Sequence, residues 1–342
     1  MKSTSYVLRI AVMFLCVIAA FIYGIRLLFS GERRQPATAD IEYVNVFAPL
    51  PDDTALSKTD ASSASAAADS SKITAVSAAD GEVLGKIVNR TIPDSSANLQ
   101  QSGVHIKNST NLDINIDELL SAKLGYTVNK NEEPQVLIVH THATECFMNE
   151  DRDYYTSADK TRTTDNNYNV TALGETVTNK LNGAGIKTLH DKTQHDYPSY
   201  NESYSRAATT VKGYLNKYPS IKIVIDIHRD SVQVESTKTK LTAQINGRQA
   251  AQIMLVMGSQ SGNIKNFPNW KENLKLAVRF QKNIESMYPT LARPLSLMSR
   301  NYNESLTTGS MLIEIGTEAN SFTEAQYSAL LISEALIKTL GS

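Results

Sequence analysis

Three short apolar runs constrain the fold of this chain more than any other feature. VLIVH (136–140), IKIVIDIH (221–228) and MLIEIG (311–316) are short and rich in β-branched residues, so they read as buried strands. Between the first two, Val170, Leu173, Val177 and Leu181 recur at helical spacing up to Asn182-Gly183, a C-cap pair. Further helices are expected over 203–218, stopping before Pro219, over 270–287 and over 322–340. IKTLH (186–190) reads as another strand, and Asn246-Gly247 between two strand-like runs as a hairpin turn. Strands separated by helices imply an α/β fold: a largely parallel sheet flanked by helices on both faces, with an inserted β-hairpin. Ligands in such sheets gather beyond the carboxyl ends of the strands.

Those runs carry groups that a core does not hold cheaply. The first finishes in His140-Thr-His142-Ala-Thr-Glu145, the second in Asp226-Ile-His228-Arg-Asp230, and the late strand contains Glu314. A buried charge without a partner costs roughly several kcal/mol, so repeated occurrences call for one common explanation. A shared divalent metal is such an explanation. Cys16 and Cys146 lie in unrelated contexts, which excludes a Cys-rich site and leaves histidine and carboxylate as ligands. Two histidines and a carboxylate are a usual catalytic set for zinc, the expected cofactor.

Which residues ligate is more open. His142, Glu145 and His228 are preferred, provided the chain turns out of the strand after His142. His140, two positions earlier, is placed on the same side of the strand, as an alternative ligand or a support for one. Asp165 is a further oxygen candidate. For a lone histidine a hydrogen-bonded core role is the ordinary reading; clustering is what argues against it here. Cys146 reads as a free buried cysteine. Hydrolysis also needs a base, and Glu314 is the candidate, with a salt-bridge role as its bland alternative. His140 stands beside it as a second catalytic candidate. Asp226 either orients a histidine or serves the core, and Arg229 and Arg300 are candidates for holding substrate carboxylates.

The rest of the chain is organised around this domain. Residues 1–30 hold an apolar run over 10–25 that Leu27, Leu28 and Phe29 extend to the ~20 residues a bilayer needs, with Arg26 snorkelling. An uncleaved transmembrane helix is preferred to a signal peptide, since no clear Ala-x-Ala site follows. Basic residues on both sides leave its orientation undecided. Residues 31–105 read as a flexible Ala/Ser-rich tether, and 106–342 as the catalytic domain. With 34 Lys and Arg against 35 Asp and Glu, the chain lacks the basic footprint of a nucleic-acid binder.

Taken together, VLIVHTHATECF, HDYPSYNESYSRA, IDIHRDS and LIEIGTEANSFTEA resemble the stage II sporulation protein P family over roughly residues 132–335, and the anchor and tether resemble it too. More distantly, the strand-end histidines and the IEIG segment followed by Asn320 and Glu324 are similar to zinc-dependent N-acetylmuramoyl-L-alanine amidases, whose catalytic glutamate stands where Glu314 does. The resemblance implies a membrane-anchored zinc hydrolase of peptidoglycan, cutting the amide between N-acetylmuramic acid and L-alanine, with endopeptidase activity on crosslinks. It also implies a role in engulfment during sporulation, alongside stage II sporulation proteins D and M, with the domain outside the cytoplasmic membrane in the intermembrane space of the sporulating cell. Cys146 departs from the pattern, which has an aromatic or small polar residue after the glutamate. Two other readings stay open. The HxxE with a distant histidine is also the arrangement of zinc carboxypeptidases, and the constellation could be structural in a non-catalytic wall-binding module.

Overall fold

The computed structural model describes residues 81–129 and 133–341. The expected anchor, and the part of the expected tether before residue 81, lie outside the described residues. In chain order the elements are β1 (Val83–Arg90), β2 (Leu99–Gln101), β3 (Val104–Asn108), α1 (Ile116–Ser121), β4 (Val136–Val139), β5 (Tyr154–Thr156), α2 (Val170–Gly183), β6 (Thr188–His190) and α3 (Ser203–Lys217). There follow β7 (Ile223–Asp230), β8 (Gln233–Val234), β9 (Thr237–Ile245), β10 (Arg248–Ala251), β11 (Ile253–Gly258), α4 (Trp270–Met287), β12 (Leu295–Met298), β13 (Gly309–Thr317) and α5 (Phe322–Leu340).

Eight strands form the main sheet in the order β2-β3-β12-β11-β13-β7-β4-β6. Strands β3, β12 and β11 run parallel to one another, as do β13, β7, β4 and β6. The two blocks meet antiparallel at β11 and β13, and β2 pairs antiparallel with β3 at the edge. The three polar-ended runs of the sequence thus become the adjacent strands β13, β7 and β4. A smaller sheet has the order β10-β9-β1-β5, with β8 on β9. In its β9–β10 hairpin, Asn246 and Gly247 have φ of 49° and 75°, the pair of positive values that a type I′ turn requires.

Alternation along the central strands decides what each face carries. Val136 and Ile138 of β4, and Ile223, Ile225 and Ile227 of β7, enter the large core with Leu173 of α2, Leu274 of α4 and Leu336 of α5. Leu137, Val139 and Val224 point the other way and cluster with Val211 and Tyr214 of α3. At these strands α2, α4 and α5 contribute to the large core and α3 to the smaller cluster. Asp226 and His228 share the alternation of Val224, so they line the α3 face while their neighbours keep the opposite face apolar.

The expected boundary at residue 106 falls too late. β1 pairs along β9 and β5, and β3 pairs with β12, so the folded unit includes residues the sequence assigned to the tether. β1 buries only Ile87. Main-chain hydrogen bonds hold it, and apolar patterning is blind to those. Among the described residues, no helix is long and apolar enough to cross a membrane.

Candidate metal centre

The site begins where β4 stops. Thr141 donates its N–H and hydroxyl to the Asp226 carboxylate at 2.8 and 2.6 Å, tying the exit of β4 to β7. Glu145 N–H then donates to the His142 carbonyl at 3.1 Å, a turn that aims both side chains the same way. The turn is braced from outside: Val170 N–H, at the start of α2, donates to the Glu145 carbonyl at 2.9 Å, and Thr163 N–H to that of Thr144 at 2.7 Å.

His142, Glu145 and His228 each offer a ligand atom within 4.8 Å of the others, and all three residues are buried. His142 Nδ1 is 3.4 Å from Glu145 Oε1, and His228 Nδ1 is 3.5 Å from Glu145 Oε2. Tetrahedral ligation at zinc bond lengths separates donor atoms by about 3.3 Å, close to both distances. His142 Nε2, His228 Nε2 and Glu314 Oε2 are buried without a hydrogen-bond partner. His228 Nε2 does lie 2.9 Å from Asp226 Oδ1, but off the line of a ring N–H, so that contact is a charge pairing rather than an aligned hydrogen bond. Each orphaned polar atom costs about 1–3 kcal/mol, so His142 Nε2 and Glu314 Oε2 call for polar partners that the chain itself does not supply, while the Nδ1 atoms facing Glu145 are the ones spaced for an ion. Two imidazoles and a carboxylate suit zinc, so the residues fit the expected ion.

The charges are tightly coupled. Burial works against an imidazolium at His228, yet Asp226 and Glu145 outweigh it and raise its pKa well above the usual value. Burial likewise opposes ionisation of Glu145, but His142, His228 and Arg229 carry its carboxyl well below the ordinary range. His228 would have to give up its proton to hold a cation here, beside the two carboxylates of Asp226 and Glu145.

Glu314 pairs in register with His228 across β13 and β7, and Leu312 with Asp226. Burial raises the Glu314 carboxyl to about 8; His228 opposes the shift, while Glu145 and Asp230 add to it. Arg293 bonds Asp230 at 2.8 Å beside this group. Glu314 is not among the clustered ligand atoms.

Three expectations need correcting. His140 keeps the alternation of Val136 and Ile138 and so faces the large core, before the turn swings His142 to the opposite side. Its Nδ1 lies 2.9 Å from the Ile227 carbonyl and its Nε2 2.9 Å from His190 Nε2. Burial, aided by His190, lowers its pKa to about 3. It is a neutral core histidine, neither a ligand nor within reach of a substrate. Arg229 is buried with its guanidinium committed to the carbonyls of Cys146, Thr161 and Asp230, while its N–H donates to Glu145 Oε2 at 3.2 Å. It braces the site and has no free donor face for a substrate carboxylate. Asp165 is exposed and accepts from Asn167, away from the cluster. Arg300 is exposed beside Tyr302, whose ring is 6.2 Å from Tyr204, which in turn meets His142 edge-on at 5.6 Å. Cys146 is buried as expected, its thiol pushed up to about 11 by burial.

Sequence reasoning assigned no role to Arg162, Asp196 or Tyr200. Asp196 accepts from Thr144 N–H at 3.2 Å, from Thr144 Oγ1 at 2.6 Å and from Arg162 Nη1 at 2.5 Å. Arg162 Nη2 is 3.5 Å from Glu145 Oε1. Tyr200 stacks on His142 with centroids 4.6 Å apart and planes at 26°. Asp196 and Tyr200 lie within HDYPSYNESYSRA, a segment legible as a motif but with no spacing that reveals chemistry; Arg162 carried no signal.

The model of the family described as stage II sporulation protein P matches residues 53–337. The chain belongs to that family. Stage II sporulation protein P of Bacillus subtilis (strain 168) is 30% identical over 207 residues, 57% of this chain and 48% of that protein. The chain thus spans about half the length of the curated relative it matches. Among solved structures, the apo N-acetylmuramyl-L-alanine amidase Ami1 from Mycobacterium abscessus is similar at 12% identity and a TM-score of 0.35, covering 61% of this chain and 98% of the other. The CwlD amidase from Clostridioides difficile, in complex with the GerS lipoprotein, is similar at 10% identity and 0.37, covering 60% and 98%. In this stage II sporulation protein P family member the motifs quoted above supply His142, Glu145, Asp226, His228 and Glu314, the residues gathered at the carboxyl ends of β4, β7 and β13.

Proposed function

We propose that this protein is a zinc-dependent peptidoglycan hydrolase that cleaves the amide between N-acetylmuramic acid and L-alanine. The observation that carries the reading is the cluster of His142, Glu145 and His228 with the half-buried Glu314 in register beside it. Family membership is what directs that chemistry to the cell wall.

His142, Glu145 and His228 would hold the ion. What zinc supplies when bound is a Lewis acid for an amide carbonyl and an environment that acidifies water to near neutrality. The chain's own residues do the rest. Asp226, fixed by both donors of Thr141, sets the charge and orientation of His228. Arg229 N–H and the Arg162 guanidinium keep the Glu145 carboxylate in place from either oxygen. Burial holds the Glu314 carboxyl protonated near neutral pH, and a cation held beside it would favour the ionised form. Its Oε2 then takes a proton from the attacking water and returns it to the leaving alanine nitrogen.

The same reading places the domain outside the cytoplasmic membrane, anchored through residues 1–30, in engulfment during sporulation with stage II sporulation proteins D and M as partners. Endopeptidase activity on crosslinks belongs to it as a second bond for the same site. A mass-spectrometric digest of purified peptidoglycan by the full chain tests the assignment. Intact stem peptides released from glycan are expected. Trimmed stems still attached to glycan would make the protein a peptidase instead, and no products with zinc bound would make it a wall-binding module.

A further inference from the structure

We propose that the exposed Tyr200, packed against His142 and Arg162, forms the subsite for the pyranose ring that carries the scissile amide. The inference rests on the amidase reading and assigns its substrate contact. Among the described residues the exposed large apolar side chains are Val83, Leu84, Val234, Tyr197 and Tyr200. Both aromatic members lie on one loop, between β6 and α3, at 53% and 41% exposure.

That loop is braced rather than loose. His195, buried within it, bonds the His140 carbonyl at 3.0 Å and Thr210 Oγ1 at 2.9 Å. Arg206 Nε donates to the His195 carbonyl at 2.6 Å, its Nη2 donates to the Ser199 carbonyl, and Asn303 Nδ2 holds the Tyr204 carbonyl at 2.8 Å. The exposure of Tyr200 is therefore built in. Its ring lies against His142, and the Arg162 guanidinium carbon, on a side chain 30% exposed, is 4.9 Å from the ring centroid.

Substrate chemistry matches this arrangement. In a muramoyl amide, one carbon and one ether oxygen join the scissile carbonyl to the sugar, so the pyranose must rest beside the group that acts on the carbonyl. Tyr200 is the exposed aromatic ring that touches a member of the cluster. A pyranose offers an apolar C–H face to an aromatic ring, and Tyr200 presents such a ring at 41% exposure, held in place by His142 and by an Arg162 guanidinium already bonded to Asp196.

The test uses the full chain and a peptide-free glycan tetrasaccharide, which binds without turnover. Calorimetric titration should show Tyr200→Ala weakening tetrasaccharide binding about tenfold, with Tyr200→Phe near wild type. KM for stem-bearing glycan should rise in step at unchanged kcat and unchanged zinc content. Equal tetrasaccharide affinity in Tyr200→Ala, or no tetrasaccharide binding by a wild type that still releases stem peptides, would overturn the subsite and leave the amidase reading standing. A fall in zinc content matching the loss of affinity would also overturn it, making Tyr200 a prop for His142. A wild type that releases no stem peptides would end the amidase reading and the subsite with it.

Discussion

Glu314 and His228 stand side by side on neighbouring parallel strands, their Cα atoms paired in register, so a half-buried glutamate and a buried imidazole share one face of the sheet. The imidazole opposes the rise that burial imposes on the Glu314 carboxyl. This pairing gives a proton carrier a fixed place beside the cluster without making it a ligand.

Glu314→Gln keeps the shape and removes the proton acceptor. Zinc content and fold should be retained, with kcat on peptidoglycan falling about 10²- to 10⁴-fold, the usual contribution of general acid–base catalysis. Turnover rates and metal analysis of the same preparation check it. Unchanged turnover would remove Glu314 from the chemistry.

His228→Ala should abolish stoichiometric zinc, whereas His140→Asn should leave it intact. The contrast separates the two faces of the sheet, since His140 bonds Ile227 and His190 rather than the cluster. Full zinc in His228→Ala, measured by plasma mass spectrometry, would refute the ligand set.

His140 also makes a pH prediction. Its pKa is lowered to about 3 by burial and by His190, against an unfolded value of about 6.5. Between those values the unfolded chain binds a proton that the folded chain does not, so stability is full above about pH 6.5 and falls as pH drops toward 3. The slope amounts to at most about 1.4 kcal/mol per pH unit. His140→Asn should show a shallower decline in denaturant stability between pH 6.5 and 4, measured on metal-free protein. An identical slope would mean that His140 takes up its proton in the folded state.

Asp196→Ala strips partners from Thr144 and Arg162 at once. Because the Asp196 side chain is fully buried but Arg162 is partly open to water, a loss of about 2–3 kcal/mol is expected, less than for a wholly buried pair. Urea melts would show it as a lower midpoint at constant slope.

Gly174→Ala would place a Cβ 2.5 Å from His140 Nε2 and 2.7 Å from His190 Nε2. Overpacking of this kind costs about 1–3 kcal/mol. A melting temperature equal to wild type would show that the imidazole pair can shift aside.

Much of this protein is legible in one dimension because apolar period and caps are local properties. β4, β7, β13, α2, α4, α5 and the Asn246-Gly247 turn all announce themselves within a dozen residues, and the HxxE turn could be joined to His228 from chemistry alone. β1 could not be seen, since its stability lies in hydrogen bonds to β5 and β9 from distant segments. The antiparallel meeting of β11 and β13 was equally hidden, because strand direction is set by which neighbours compete for each edge.

His140 and His142 show most plainly what sequence by itself determined and what tertiary structure decided. Sequence determined that imidazoles and carboxylates stand at strand ends in a chain without usable cysteines, and hence what kind of ion they suit. It could not decide which histidine faces the cluster. A turn braced by Asp226, Val170 and Thr163 carries His142 to the α3 face and leaves His140 beneath α2. The same holds for Arg229, whose donors were claimed by carbonyls of residues up to 83 positions away. Which face a side chain meets depends on long-range hydrogen bonds that spacing along the chain does not encode.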